Sequence, residues 1–158
     1  MKQRDRVAMD EAEVRALLAA QAKLQLATIN PDGTAHLVTM FFALHEERIA
    51  FWTYRSAQKA RNLARDPRLT CLVEDGQEYF ELRGVQVAGV AEPIEEPAAV
   101  AGIGRLIAAR MPGIGGMVVA DGADGLLDEY VLQAARKRIA YLVTPTRISS
   151  WDHRKLVT

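Results

Sequence analysis

The alternation of apolar and polar positions predicts a chain of short strands with helices inserted among them. The first element is a helix from about Asp10 to Gln21. Val14, Leu17, Leu18 and Gln21 recur there at helical spacing, and Asp10 with Glu13 makes a capping-box signature. Leu24–Ile29 reads as a strand, Asn30-Pro31-Asp32-Gly33 as a tight turn and Ala35–Leu44 as a second strand. His45-Glu46-Glu47 then turns the chain into a third strand, Arg48–Tyr54. Turns this short make the three strands antiparallel neighbours, because a parallel pair needs a long crossover. On that basis Ala35–Leu44 is expected to pair with Phe51–Tyr54.

A helix follows over Ser56–Arg65, capped by Ser56 and ended by Asp66-Pro67. Arg68–Glu74 is the next strand and Asp75-Gly76 a turn. Tyr79–Pro93 is a long strand in which Gly84 and Gly89 invite bulges or bends. Pro97–Arg110 has helical spacing through Val100, Ile103, Ile107 and Met111, Met111–Gly116 is a loop, and a further helix lies between Asp124 and Lys137. Arg138–Ile148 is a final strand and Ser149–Leu156 a tail. Strands with turn signals and inserted helices predict an α+β antiparallel barrel, with residues 1–158 forming one domain.

Charge and composition narrow the partners. The chain has 158 residues, with 20 Lys plus Arg against 20 Asp plus Glu, so no global field draws it to nucleic acid or to an anionic membrane. No apolar run approaches the roughly 20 residues that span a bilayer, and the polar start Met-Lys-Gln-Arg-Asp-Arg leads into no signal-type segment. Cys71 is the single cysteine, which excludes a disulfide framework. The expectation is a soluble, cytoplasmic protein acting on a small molecule.

Most catalytic signatures are missing. There is no phosphate-binding Gly-x-x-x-x-Gly-Lys loop, no Gly-x-Ser-x-Gly elbow and no His-Glu-x-x-His helix. Gly102-Ile-Gly104 and Gly113-Ile-Gly-Gly116 do not open a helix after a strand, and loop flexibility accounts for them. His36, His45 and His153 share no ligand spacing, so no metal site is expected. Cys71 lies in an apolar strand and reads as core.

What remains is Phe51-Trp-Thr-Tyr-Arg55-Ser56-Ala-Gln-Lys59-Ala-Arg-Asn62-Leu63, a strand running into a helix. Arg55 and Lys59 stand at the end of the helix where the macrodipole favours negative charge. Free amides, a hydroxyl and two cations suit a phosphate. A helix start with its basic side chains in water accounts for the same residues.

The segments Thr28–His36, Phe51–Leu63, Asp66-Pro67-Arg68 and Leu82-Arg83-Gly84, in that order, resemble the pyridoxamine 5′-phosphate oxidase-like split-barrel superfamily. Within it the chain is most similar to the small flavin- and deazaflavin-dependent oxidoreductases. The resemblance implies a six-stranded, Greek-key split β-barrel with peripheral helices, and a homodimer with its cofactor site at the subunit interface. It assigns the cofactor phosphate to Arg55, Ser56 and Lys59 with Asn62 nearby, the ring to Val38, Thr39 and Met40, and the space between to Thr53 and Tyr54. It implies a redox enzyme that uses the deazaflavin coenzyme F-420, or alternatively FMN, on an electron-poor small molecule. A non-catalytic flavin, deazaflavin or haem carrier is the other reading. Nothing in residues 138–158 matches the arginine and histidine pattern by which true pyridoxamine 5′-phosphate oxidases hold substrate, so that activity is not expected.

Overall fold

The computed structural model describes residues 2–113 and 124–157. Two helices come first, α1 (Gln3–Val7), which the pattern does not predict, and α2 (Glu11–Ala20). Asp10 accepts from the Glu13 amide and Glu13 from the Asp10 amide, both at 2.8 Å, so the predicted capping box forms. Then come β1 (Lys23–Ile29), β2 (Ala35–Phe41), β3 (Ala43–His45), β4 (Arg48–Tyr54), α3 (Gln58–Arg65), β5 (Arg68–Asp75) and β6 (Arg83–Ile94). Finally α4 (Pro97–Arg110), α5 (Asp124–Ala135) and β7 (Arg138–Asp152) complete the chain, with a one-turn helix over His153–Leu156.

Among the described residues seven strands form one antiparallel sheet in the order β2-β1-β5-β6-β7-β4-β3. Its two edges, β2 and β3, are consecutive in the chain and meet at Phe42, so the sheet is curled into a half-barrel. The expected count of six is therefore corrected to seven. The apolar run Met40–Leu44 carries no turn residue, but the backbone changes partners at Phe42, whose amide donates to Ala22 at 3.0 Å. Before Phe42 the strand pairs with β1, and after it Ala43–His45 pair with Arg48–Ala50. The expected pairing with Phe51–Tyr54 is not made; those residues pair with Arg138–Tyr141 of β7. The parting of β2 from β4 leaves a split in the sheet.

Two apolar layers hold this sheet. Inside the curl, Leu24, Leu26, Phe42, Phe51, Val85 and Val143 pack with Leu17 of α2, and Phe51 stacks on Tyr141 at 5.3 Å. Outside it, Ala43, Ala50, Ala140 and Leu142 pack against Val100, Ile103 and Ile107 of α4 and Val131 and Ala135 of α5. Strand β4 is thus covered on both faces near its middle, with Ala50 and Phe51 wholly buried. Burial pushes the Cys71 thiol up to about 12, which fits its place in the inner layer.

The glycines do more than loosen loops. Gly102 and Gly104 lie inside α4, and a Cβ on Gly104 would stand 2.4 Å from the Trp52 ring, so this residue sets how close α4 comes to β4. The β6–β7 register shifts at Ala88/Gly89, as expected of a bulge, whereas Gly84 makes room for the Trp151 ring. The predicted loop Met111–Gly116 is described as far as Gly113; the rest lies outside the described residues. The expected tail is partly strand: β7 runs on to Asp152, pairing Trp151 with Gly84. Lys155 then bonds Ala8 and Glu13 at 2.8 and 2.7 Å, tying this end to the start of the chain.

Candidate functional site

A cavity of about 470 Å³ opens at the split. Strand β2 supplies Thr39, Met40 and Phe41, and β4 supplies Trp52, Thr53 and Tyr54. Helix α4 adds an apolar wall of Gly104, Ile107, Ala108 and Met111, and α5 adds Tyr130 and Val131. Lys59 of α3 and Arg138 of β7 complete the lining, which has no acidic residue among the described residues.

Of the residues proposed from sequence, Thr39, Met40, Thr53, Tyr54 and Lys59 therefore come together. Thr39 donates to Gln25 at 2.8 Å, which fixes its hydroxyl on the β1–β2 ladder. Thr53 is only 5% exposed, and its side chain makes no hydrogen bond among the described residues. Tyr54, half exposed, stands at the rim.

Val38, Arg55, Ser56 and Asn62 are placed elsewhere. Val38 shares a face of β2 with Met40 and packs with it on the inner apolar layer, but it does not line the cavity. Arg55 bonds the Glu95 carboxylate and the Glu95 carbonyl, both at 3.3 Å, so this cation has its own anion. Ser56 is exposed in the turn, but Ala57 is the N-cap, because the Ala57 amide closes the turn on the Tyr54 carbonyl at 3.0 Å and the helix begins one residue later. Asn62 is wholly buried beneath α3. It donates to Thr28 at 3.1 Å and Asn30 at 3.0 Å and accepts from Gln58 at 2.9 Å, which pins the helix to the β1 end of the sheet.

Lys59 behaves differently from all of these. It is half-buried in the cavity wall and has no hydrogen bond or ion pair among the described residues. Burial holds its pKa below the ordinary lysine value. The first turn of α3 carries no acidic side chain and the helix no capping side chain. A desolvated, unpaired cation at a helix start, beside an apolar wall, is arranged for a ligand with an anionic group and a flat apolar body.

Sequence reasoning missed Arg138 and the helical walls. Arg138 stands opposite Tyr54 in the β4–β7 register, with its guanidinium over the Tyr54 ring at 4.2 Å and the Trp52 ring at 4.8 Å. Pairing of the last strand with β4 was the information needed, and no local pattern encodes it. The α4 wall was visible as the stripe Ile107 and Met111, though not as part of a site. Among the described residues no group of three or more His, Cys, Asp or Glu side chains could hold a metal ion, and no helix is long and apolar enough to cross a membrane.

Residues 10–152 match the family model described as pyridoxamine 5′-phosphate oxidase. No curated protein matches the chain. Among solved structures, the conserved hypothetical protein Rv2991 from Mycobacterium tuberculosis is 39% identical with a TM-score of 0.85, covering 100% of this chain and 94% of that one. An F420 reductase is 24% identical with a TM-score of 0.57, covering 85% and 94%. The haem storage protein HutZ from Vibrio cholerae is 16% identical with a TM-score of 0.63, covering 89% and 94%. The last two share the fold.

Proposed function

Because the chain belongs to the pyridoxamine 5′-phosphate oxidase family, we propose that it is an oxidoreductase holding the deazaflavin coenzyme F-420 at the split of its barrel. The observation that carries this reading is Lys59, a half-buried cation without a protein partner among the described residues, set beside an apolar wall. Lys59 holds the phosphate of the coenzyme, with the exposed Ser56 hydroxyl at the same turn. Thr39 and Met40 border the ring on one side and the α4 wall on the other, while Thr53 and Tyr54 stand between ring and phosphate. When bound, such a coenzyme supplies the hydride chemistry, and the protein supplies binding, orientation and exclusion of water. The acceptor is a small, electron-poor organic molecule. FMN is the alternative occupant, since it joins a similar tricyclic ring to a phosphate.

The same reading makes the protein a homodimer with its site at the subunit interface. Leu37, Ala27, Thr70 and Ala88 follow one another across the β2-β1-β5-β6 ladders on one face of the sheet. Leu37 there is 65% exposed, and a shallow recess beside it is lined largely by small residues such as Ala27, Ala88 and Gly89. A flat face of small side chains suits a second copy of the chain. Leu37→Glu should raise the dimer dissociation constant about tenfold or more in sedimentation experiments; a monomeric wild type at micromolar concentration overturns this part of the reading.

The test of the site is titration of purified protein with F-420 and with FMN, followed by fluorescence. Lys59→Ala should weaken the preferred ligand about tenfold or more, and Ser56→Ala by less. Unchanged affinity for both ligands in both variants sinks the phosphate site. Turnover of reduced F-420 with quinones, enones and tetrapyrroles then separates an enzyme from a carrier: tight binding without acceptor-dependent oxidation assigns the protein to storage or transport.

A further inference from the structure

We propose that Arg138 is a second oxyanion-binding residue of this cavity, acting with Lys59 to select ligands in which a flat ring carries a phosphate ester. The proposal rests on the reading of the site given above and adds to it a residue and a basis for selectivity.

Arg138 begins β7, and its side chain is fixed before any ligand arrives. The guanidinium lies over Tyr54 and Trp52, and one of its nitrogens donates to the Ala134 carbonyl at the end of α5, 3.2 Å away. Two ring faces and one carbonyl set the plane of the group, and its other N–H donors have no partner among the described residues. No carboxylate pairs with Arg138 among the described residues, whereas Arg55 has Glu95 and Arg105 has Asp128 at 2.6 Å. Contact with aromatic faces offsets part of the cost of drawing the charge out of water.

The chemistry of the pair is complementary. A lysine ammonium is a point charge, while an arginine fork presents parallel N–H groups that match two oxygens of a phosphate. Both line a cavity that has no acidic residue in its lining among the described residues. A ligand carrying a phosphate ester satisfies both cations, and a ligand with the same ring and no phosphate leaves both desolvated. The site should therefore discriminate on the phosphate much more than on details of the ring.

The test compares matched ligands: FMN against riboflavin, and F-420 against the phosphate-free ribityl deazaflavin. Arg138→Met keeps much of the packing on the rings and removes the charge. It should weaken FMN and F-420 about tenfold while changing the phosphate-free partners less than about twofold. Arg138→Lys, which restores charge without the fork, should recover part of the loss. A purely structural role at the end of α5 would weaken both members of each pair equally, and that result overturns the proposal, as does no change in either. If Lys59→Ala abolishes phosphate discrimination and Arg138→Met leaves it intact, the site stands and Arg138 has no part in it. If the wild type binds neither FMN nor F-420, both readings fall.

Discussion

Arg110, at the end of α4, and Lys59, at the start of α3, are both basic side chains whose pKa burial pushes below the ordinary value, yet their surroundings are opposite. Arg110 donates to the carbonyls of Leu18 at 2.8 Å, Ala19 at 3.3 Å and also Gln21, and lies 4.6 Å over the Phe42 ring. Those carbonyls belong to the last turn of α2, which carries no basic side chain of its own, and to Gln21 just after it. One guanidinium thus closes a helix end and clamps it to the residue where the sheet changes edges. Lys59 has no such partners among the described residues. A desolvated charge with its hydrogen bonds made stabilises a fold, while one left without them weakens it and is retained where a ligand completes it.

The sharpest way to break this comparison is to remove each cation. Arg110→Ala should cost about 2–3 kcal/mol in chemical denaturation, since it strips the donor from several carbonyls and uncovers Phe42. Lys59→Ala should change stability by less than about 0.5 kcal/mol, or raise it, while weakening ligand binding. Equal losses of stability in the two variants would place Lys59 among the structural residues and remove the main support for the site.

The contrast also explains what the sequence could reveal. Charges at Arg55 and Lys59 were legible because the helix start is local, and so was the capping box at Asp10 and Glu13. Which cation lacks a partner among the described residues was not legible, because Glu95, which pairs with Arg55, lies 40 positions away. Asn62 shares a helix with Lys59, but its burial depends on Thr28 at the end of β1 and Asn30 just after it, more than 30 positions away. The same limit hid the break at Phe42: the apolar run Met40–Leu44 passes through it without a turn residue, and only the meeting of the sheet's two edges sends Ala43–His45 to a new partner. Arg138 belongs to this class too, since it reaches the site through pairing of the last strand with β4.

Gly104→Ala sharpens the comparison from the apolar side of the cavity. An added Cβ would meet the Trp52 ring at 2.4 Å, so either α4 moves outward or the ring turns into the cavity. The helix gains about 1 kcal/mol in propensity, against an overpacking cost of about 1–3 kcal/mol. Net destabilisation should be about 1 kcal/mol, with a shift in tryptophan emission and a loss of ligand affinity. Unaltered affinity would show that the ligand does not use this wall. A smaller effect, of opposite sign on stability, is expected of Ala57→Asp. It gives α3 the capping carboxylate it lacks, stabilising by about 0.5–1 kcal/mol. It also places a negative charge beside Lys59, so affinity for FMN or F-420 should fall as stability rises.

The smallest effect is the pH dependence that Lys59 itself confers. Its folded-state pKa lies below the ordinary 10.5, so the unfolded chain binds the proton more tightly than the folded one. The charged form therefore carries a penalty at neutral pH, and that penalty disappears as pH rises through the lowered pKa towards 10.5. Wild-type stability should rise relative to Lys59→Met over that alkaline interval, measured by denaturation at several pH values. A bound phosphate ester favours the charged lysine and should move the interval upward, so saturating ligand should flatten the difference. If ligand left the wild-type and Lys59→Met pH profiles in the same relation, the anion would be held by something other than Lys59. The contrast with Arg110, which needs no ligand to complete its surroundings, would then lose its functional meaning.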